Sequence, residues 1–242
     1  MSATEAYFVT RTVRALELLA FAPLSAPQVA ASLQIHQRTA RRLVERLREE
    51  DYLERSDDHP RLYSPSLRLV AVAGQLLNRL RLAQQAVPFV ARLQAQTGGA
   101  AHLAIPSYRS ALCIVHAAPD WPAHPELREL APCHCTAPGK MLLAERQAWR
   151  DSVLSGPVRA HTRRTTTDRA RLRAELDTAR RLGYAVEREE LRDGECGVAA
   201  PVANSGGTIA ALGVSVDNTV GLEALSELVV DTAEGLARAL AR

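Results

Sequence analysis

Apolar residues at Val13, Leu16, Leu19 and Ala20 recur at the three-to-four-residue spacing of one helix face, which predicts an amphipathic helix over Val9 to Ala22, stopped near Pro23. Past Ser25 and Pro27, Val29, Ala30 and Leu33 make a second, shorter apolar face. A third segment lines up Ala40, Leu43, Val44 and Leu47, while Arg38, Arg42 and Glu45 point the opposite way and Arg41, Arg46 and Arg48 flank them. That helix is apolar inside and basic outside. The period then shortens: Tyr52 to Arg55, a polar tip at Ser56 to Pro60, and Arg61, Leu62 and Tyr63 read as a two-stranded hairpin. Three small helices and a hairpin have the layout of a winged helix-turn-helix, whose recognition helix enters the major groove of DNA with its N-terminal residues toward base edges.

Farther along, Leu69, Val70, Ala73, Leu76 and Leu77 predict a helix over Ser66 to Leu80, after the break at Ser64-Pro65-Ser66. A second helix is expected from Leu82 to Gln96, before Thr97-Gly98-Gly99. The pattern then turns to short runs. Ala100 to Ile105, Ala111 to His116, Tyr184 to Glu189, Val198 to Val202 and Ile209 to Val216 read as strands, the last two joined by a turn at Asn204 to Gly207. Thr136 to Ala144, Trp149 to Leu154, Asp168 to Leu182 and Leu222 to Leu240 read as helices. Hairpin-type connections with helices at both ends imply an α+β domain on a mainly antiparallel sheet.

A chain of 242 residues, 47% hydrophobic and 24% charged, has room for two ordinary domains with real cores, which excludes a disordered, collagenous or fibrous coiled-coil protein. Apolar runs such as Leu69 to Ala73 fall far short of the roughly 20 residues of a bilayer-spanning helix. Met1 to Thr10 lacks the basic and apolar regions of a secretory signal, so the expected location is the cytoplasm. Four unevenly spaced cysteines do not make a disulfide framework. The net charge of +3 is modest, but its distribution is uneven. Between His36 and Arg48 five arginines face one glutamate, and no acidic residue occurs from His59 to Pro119. Lys140, the only lysine, is read as a by-product of arginine-rich coding.

The chemistry that this supports is recognition. Gln37, Arg38, Thr39, Arg41, Arg42 and Arg46 are the candidate DNA contacts: arginine pairs two donors with guanine O6 and N7, glutamine pairs with adenine, and the remaining arginines neutralise phosphates. The plainer alternative is a solvated basic face. Cys133-His134-Cys135, with Cys196 beside Gly197, could hold a metal if Cys113, His116 or His124 supplied a fourth ligand, although zinc sites commonly space their cysteines farther apart. Ordinary buried thiols are the expected outcome. No family signature surrounds Cys135 or Cys196 as a nucleophile with His102 or His134, and Gly139-Lys140 lacks the remainder of a P-loop. No metal, cofactor or catalytic residue is therefore expected.

Several stretches carry a resemblance. Arg11 to Ala20 and Gln37-Arg38-Thr39 through Asp51 to Arg55, then Cys135 to Ala144, Leu182 to Val186, Val198 to Val202 and Ala210 to Ser215, resemble in order the blocks of the IclR family of bacterial transcription regulators. The resemblance covers almost the whole chain. It implies a winged helix-turn-helix over 1–65, a linker helix over 66–81 that takes part in dimerisation, and a GAF-like effector-binding domain over 82–242. The implied partners are a double-stranded, pseudo-palindromic operator, a small-molecule effector, and further copies of the chain as a homodimer or dimer of dimers. The implied effector pocket comprises Thr136, Ala137, Pro138, Glu187, Gly197, Gly213 and Ser215. Asp51 departs from a usual glycine and is expected to keep a left-handed turn. Pro138, Gly197 and Gly213 depart at polar positions of the pocket, which predicts a wider, less polar site for an organic acid, aromatic or longer than three carbons. Alternatives are a GAF-like small-molecule or redox enzyme and a metal or redox sensor using Cys133, His134 and Cys135.

Overall fold

Ala40, Leu43, Val44 and Leu47, the aligned face of the third predicted helix, are buried together with Ala15, Leu19, Val29, Ala30, Leu53 and Tyr63. In the computed structural model, which describes residues 3–56, 59–217 and 221–242, this cluster is the core of the first of two units, Met1–Leu76 and Leu77–Arg242. The first unit runs α1 (Ala3–Phe21), β1 (Leu24–Ser25), α2 (Ala26–Leu33), α3 (Gln37–Glu49), β2 (Leu53–Arg55) and β3 (Leu62–Pro65), and α4 (Leu67–Arg79) begins in it. Helix α1 starts six residues before the expected Val9, because Ala3, Glu5 and Ala6 are strong helix formers although they lack an apolar period. The unpredicted β1 joins the hairpin in a three-stranded antiparallel sheet ordered β1-β3-β2. Asp57 and Asp58 of the expected hairpin tip lie outside the described residues.

Two left-handed residues shape this unit. Gln34 (φ 53°) ends α2, and Asp51 (φ 59°) turns the chain from α3 into the hairpin, as expected at that position. The Asp51 carbonyl accepts from the Ser66 hydroxyl.

The second unit is built on a six-stranded antiparallel sheet ordered β6-β5-β4-β9-β8-β7. Its strands are β4 (Ala100–Ser107), β5 (Ser110–Ala118), β6 (Trp121–Pro132), β7 (Ala185–Arg188), β8 (Glu195–Asn204) and β9 (Gly207–Asp217). Its helices are α5 (Arg81–Thr97), α6 (Ala137–Glu145), α7 (Gln147–Leu154), α8 (Arg169–Leu182) and α9 (Leu222–Leu240), with a short 3-10 turn over Cys133–Cys135. Strand β6 was not predicted, since Pro122, Pro125 and Pro132 argue against a strand; it lies at the sheet edge, where missing N–H groups cost no ladder bond. Strand alternation sends Leu103, Val198, Leu212 and Val214 to one face, under α5 and α9. It sends Ala104, Ala185, Ala199 and Ala211 to the other, under α6 and α8.

That second face is lined by small residues, and the chain uses the room. Every residue of α6 from Ala137 to Ala144 is buried. A Cβ on Gly139 would sit 2.3 Å from the Cα of Cys133, so only glycine lets α6 pass so close to the 3-10 turn. Lys140, far from being a coding by-product, is buried with its ammonium 2.5 Å from Glu190 and 3.3 Å from Glu175. Among the described residues no helix is long and apolar enough to cross a membrane.

Candidate functional site

On the first unit the candidate surface is the outer face of α3. His36 precedes it, its Nδ1 accepting from the Arg38 N–H at 3.2 Å, and Gln37, Arg38, Arg41 and Arg42 are exposed while Thr39 is half-buried. Arg38, Arg41 and Arg42 make no ion pair among the described residues. Arg46, counted with them from the sequence, is instead paired with Glu49 at 3.3 Å and Glu50 at 2.9 Å. Arg48 pairs with Glu45 at 2.8 Å. Glu45 also receives Arg55 at 2.6 Å and the Tyr63 hydroxyl, whose hydrogen bond, with Arg48, holds its carboxyl below the usual range. The Arg55 guanidinium lies 4.3 Å from the Tyr63 ring centroid. Glu45 thus ties the hairpin to α3, and the arginines without an ion pair among the described residues sit toward the start of the helix.

On the second unit a cavity of about 820 Å³ opens where the N-terminus of α6 meets the sheet. Thr136, Ala137, Pro138, Glu187 and Ser215 line it. Gly197 and Gly213 stand in the same face without lining it. The ladder explains the grouping: Glu187 pairs with Gly197 and Gly197 with Ser215, while Ala199 pairs with Gly213, Gly213 with His102 and His102 with His116. Residues directly opposite share a face, so two adjacent rows present their side chains to α6. A Cβ on Gly197 would fall 3.4 Å from Ala137 Cβ and 3.6 Å from Glu187 Oε2.

Sequence reasoning missed His102, His116, Arg192, Glu195 and Asp217, which also line the cavity. These add imidazole, guanidinium and carboxylate groups to the lining. At Gly213 the place of a side chain is taken by the His102 imidazole, whose Nε2 would lie 3.2 Å from an added Cβ. His102 is buried, and burial, helped by the charge of neighbouring His116, lowers its pKa to about 4, so it is neutral. Its Nε2 has no hydrogen-bond partner among the described residues. Glu187 is shifted the opposite way. Burial raises its carboxyl to about 7 even though Oε1 accepts from the Glu190 N–H at 2.6 Å and the Leu191 N–H at 3.3 Å. At the helix start, Thr136 accepts from the Gly139 N–H at 3.3 Å and Pro138 has no N–H, which leaves Ala137 as the main-chain donor of the first turn.

All four cysteines are buried and unbridged. The Cys133 thiol donates to the Arg109 carbonyl at 2.8 Å, turned away from its neighbours, and burial pushes the thiols of Cys133 and Cys135 up to about 12. The alternative trio Cys133, His134 and Cys135 is not among the convergent groups of the described residues. Among the described residues the histidine and cysteine atoms that do converge belong to His134, Cys135 and His161. His124, considered as a fourth ligand, contacts the Trp121 Nε1 at 3.3 Å and the Pro122 carbonyl at 2.8 Å.

A small unit with an exposed basic helix, followed by an α+β unit with a cavity walled by a helix N-terminus, is the make-up of a one-component regulator. Residues 74–241 match the sequence profile described as bacterial transcriptional regulator IclR C-terminal. The chain is 30% identical over 216 residues to the protein named "probable transcriptional regulator SauR" of Cupriavidus necator, an alignment spanning 85% of this chain and 84% of that one. It belongs to the IclR family of transcriptional regulators, and its second unit is an IclR effector-binding domain. Its fold is similar to that of the Thermotoga maritima IclR, with TM-score 0.64 and 22% identity over 97% of this chain and 98% of that one. It is also similar to an IclR homologue of Microbacterium hydrocarbonoxydans solved in complex with 4-hydroxybenzoate, with TM-score 0.64 and 27% identity over 96% and 98% of the two chains.

Proposed function

We propose that this transcriptional regulator binds a pseudo-palindromic operator through α3 and changes its operator occupancy when a small organic acid enters the cavity beside α6. The observation that carries the DNA half is the cluster of Arg38, Arg41 and Arg42, exposed and without an ion pair among the described residues near the start of α3, where a recognition helix presents its base-reading residues. Gln37 and Thr39 complete that reading surface, and Arg46, engaged with two glutamates, is a secondary phosphate contact. In this reading residues 1–65 bind DNA, residues 66–81 link and dimerise, and residues 82–242 sense the effector. The protein works in the cytoplasm as a homodimer or dimer of dimers, and no step requires catalysis.

For the effector, Thr136, Ala137, Pro138, Glu187 and Ser215 form the wall, and Gly197 and Gly213 keep the sheet face low behind it. An aromatic or similarly sized acid suits a cavity of about 820 Å³, and 4-hydroxybenzoate bound to the Microbacterium homologue supports that class. The test is fluorescence anisotropy with DNA from the protein's own upstream region against unrelated DNA across a salt series. Specific binding is expected, and Arg41→Ala or Arg42→Ala should weaken it by about tenfold or more, the worth of one good base contact. Equal affinity of wild type and both variants would remove α3 from the interface.

A further inference from the structure

We propose that His134, Cys135 and His161 form a binding site for a zinc-class divalent cation that clips the connection between α7 and α8 to the root of α6. The site is assembled from two distant stretches: His134 and Cys135 come from the 3-10 turn, and His161 from the 155–168 connection. One nitrogen from each imidazole and the Cys135 sulfur all lie within 4.8 Å of one another. Two imidazoles and a thiol are a nitrogen and sulfur donor set, which suits zinc and its neighbours and is the wrong chemistry for calcium or magnesium.

The distances are those of an open site that closes by a small movement. Metal–ligand bonds of about 2.0–2.3 Å at tetrahedral angles bring donors to about 3.3–3.6 Å from one another. The ligands must therefore draw in by up to about 1.5 Å, and His161 is exposed, so its imidazole has room to turn toward the buried pair. Its main chain is already fixed. The N–H groups of His161 and Thr162 both donate to the Thr165 hydroxyl at 2.9 Å, and the hydroxyls of Thr162 and Thr165 donate to the carbonyls of Glu189 and Glu190 at 2.6 Å.

A supporting contact is also in place. The Arg159 carbonyl accepts from His134 Nε2 at 2.9 Å, which fixes the tautomer and leaves the lone pair on Nδ1, the arrangement that metal-bound histidines commonly show. Binding forms a metal–sulfur bond and releases the thiol proton to solvent, with no change of oxidation state. Three protein ligands leave a fourth position for water. Cys135 is followed directly by Thr136 and Ala137 of the cavity wall, so an ion there anchors the first turn of α6.

The experiment uses full-length, chelator-stripped protein titrated with Co²⁺, which takes zinc sites and reports thiolate ligation by a sulfur-to-cobalt charge-transfer absorption. One Co²⁺ per chain, with that absorption, displaced by Zn²⁺, is expected. Cys135→Ser should abolish the absorption. His161→Ala, at an exposed position that leaves folding intact, should weaken Co²⁺ binding by about tenfold or more. Cys133→Ser should leave binding and absorption unchanged, because its sulfur faces the Arg109 carbonyl. Co²⁺ bound without charge transfer, an absorption that survives Cys135→Ser or vanishes with Cys133→Ser, or an affinity unmoved by His161→Ala would each overturn the proposal.

Discussion

Replacing Glu187 by glutamine should change the stability of the second unit by an amount that depends on pH, and the sign follows from the direction in which burial moves this carboxyl. Its pKa stands at about 7 in the folded chain against an ordinary 4.5, a difference equivalent to about 3 kcal/mol between its two protonation states. With the folded value raised, the unfolded chain gives up its proton first. The stabilisation is fully present below pH 4.5 and is lost as pH rises through about 7, so at pH 8 the buried carboxylate costs the native state up to about 3 kcal/mol. Glutamine keeps a side-chain oxygen for the Glu190 and Leu191 N–H groups and cannot ionise. Trp121 and Trp149, the only tryptophans, both lie in the second unit, so urea denaturation followed by tryptophan fluorescence reads that unit alone. Glu187→Gln should match wild type near pH 4.5 and become the more stable of the two above pH 7, by about 2–3 kcal/mol. A difference between the two proteins that stays constant from pH 4.5 to 8 would refute a shifted Glu187.

Three further outcomes rest on packing and backbone. Gly139→Ala places a methyl 2.3 Å from the Cys133 Cα and should destabilise the second unit by about 3 kcal/mol or more in the same fluorescence assay; a loss under 1 kcal/mol would mean that α6 moves freely. Lys140→Met strands the buried Glu190 carboxylate and should cost about 3–5 kcal/mol at pH 7, with partial recovery when Glu190→Gln is added; equal losses in the single and double variants would show that the ion pair is not the cause. Asp51→Gly relieves a left-handed aspartate and should stabilise the first unit by up to about 1 kcal/mol, read by amide hydrogen exchange within residues 1–76, whereas a loss would place the stabilisation in the aspartate side chain.

Elements with a strong period are legible in the sequence. The apolar face of α3 and the alternation in β8 and β9 follow from burial on one side, which every residue in the pattern reports. Strand β6 escaped because three prolines interrupt it, and prolines are informative only once a strand is known to lie at an edge. The candidate site was legible where it coincides with contiguous motifs, at Thr136 to Pro138, and where single positions could be carried over, at Glu187 and Ser215. His102 and His116 were not, since a histidine inside an apolar strand looks like a core residue until the ladder sets it opposite Gly213. The ion pairs of Arg46 were not legible, because its partners, Glu49 and Glu50, fall just past the basic segment. His161 lies in a polar connection with no period, which the threonine bonds to Glu189 and Glu190 and the bond from His134 to the Arg159 carbonyl hold beside Cys135.

On the proposed reading of an acidic effector, the same ladder bears on how a cavity with three acidic residues in its lining would receive it. Glu187 is driven toward its neutral form by burial, and Glu195 lies 3.4 Å from Arg192, so Asp217 remains the chief source of negative charge. His102 is held neutral by the same burial, and its Nε2 rises above Gly213 where no Cβ stands in the way. Two titratable groups displaced in opposite directions leave a lining with less net charge than its residue types imply, and with hydrogen-bonding groups at Ala137, Glu187 and His102. Substituting Gly213 would disturb this balance from beneath, since any side chain there meets the Val198 carbonyl at 2.9 Å before it meets the His102 ring. The glycine on β9 and the histidine on β4 therefore act as one feature: the missing side chain is the condition for the buried imidazole.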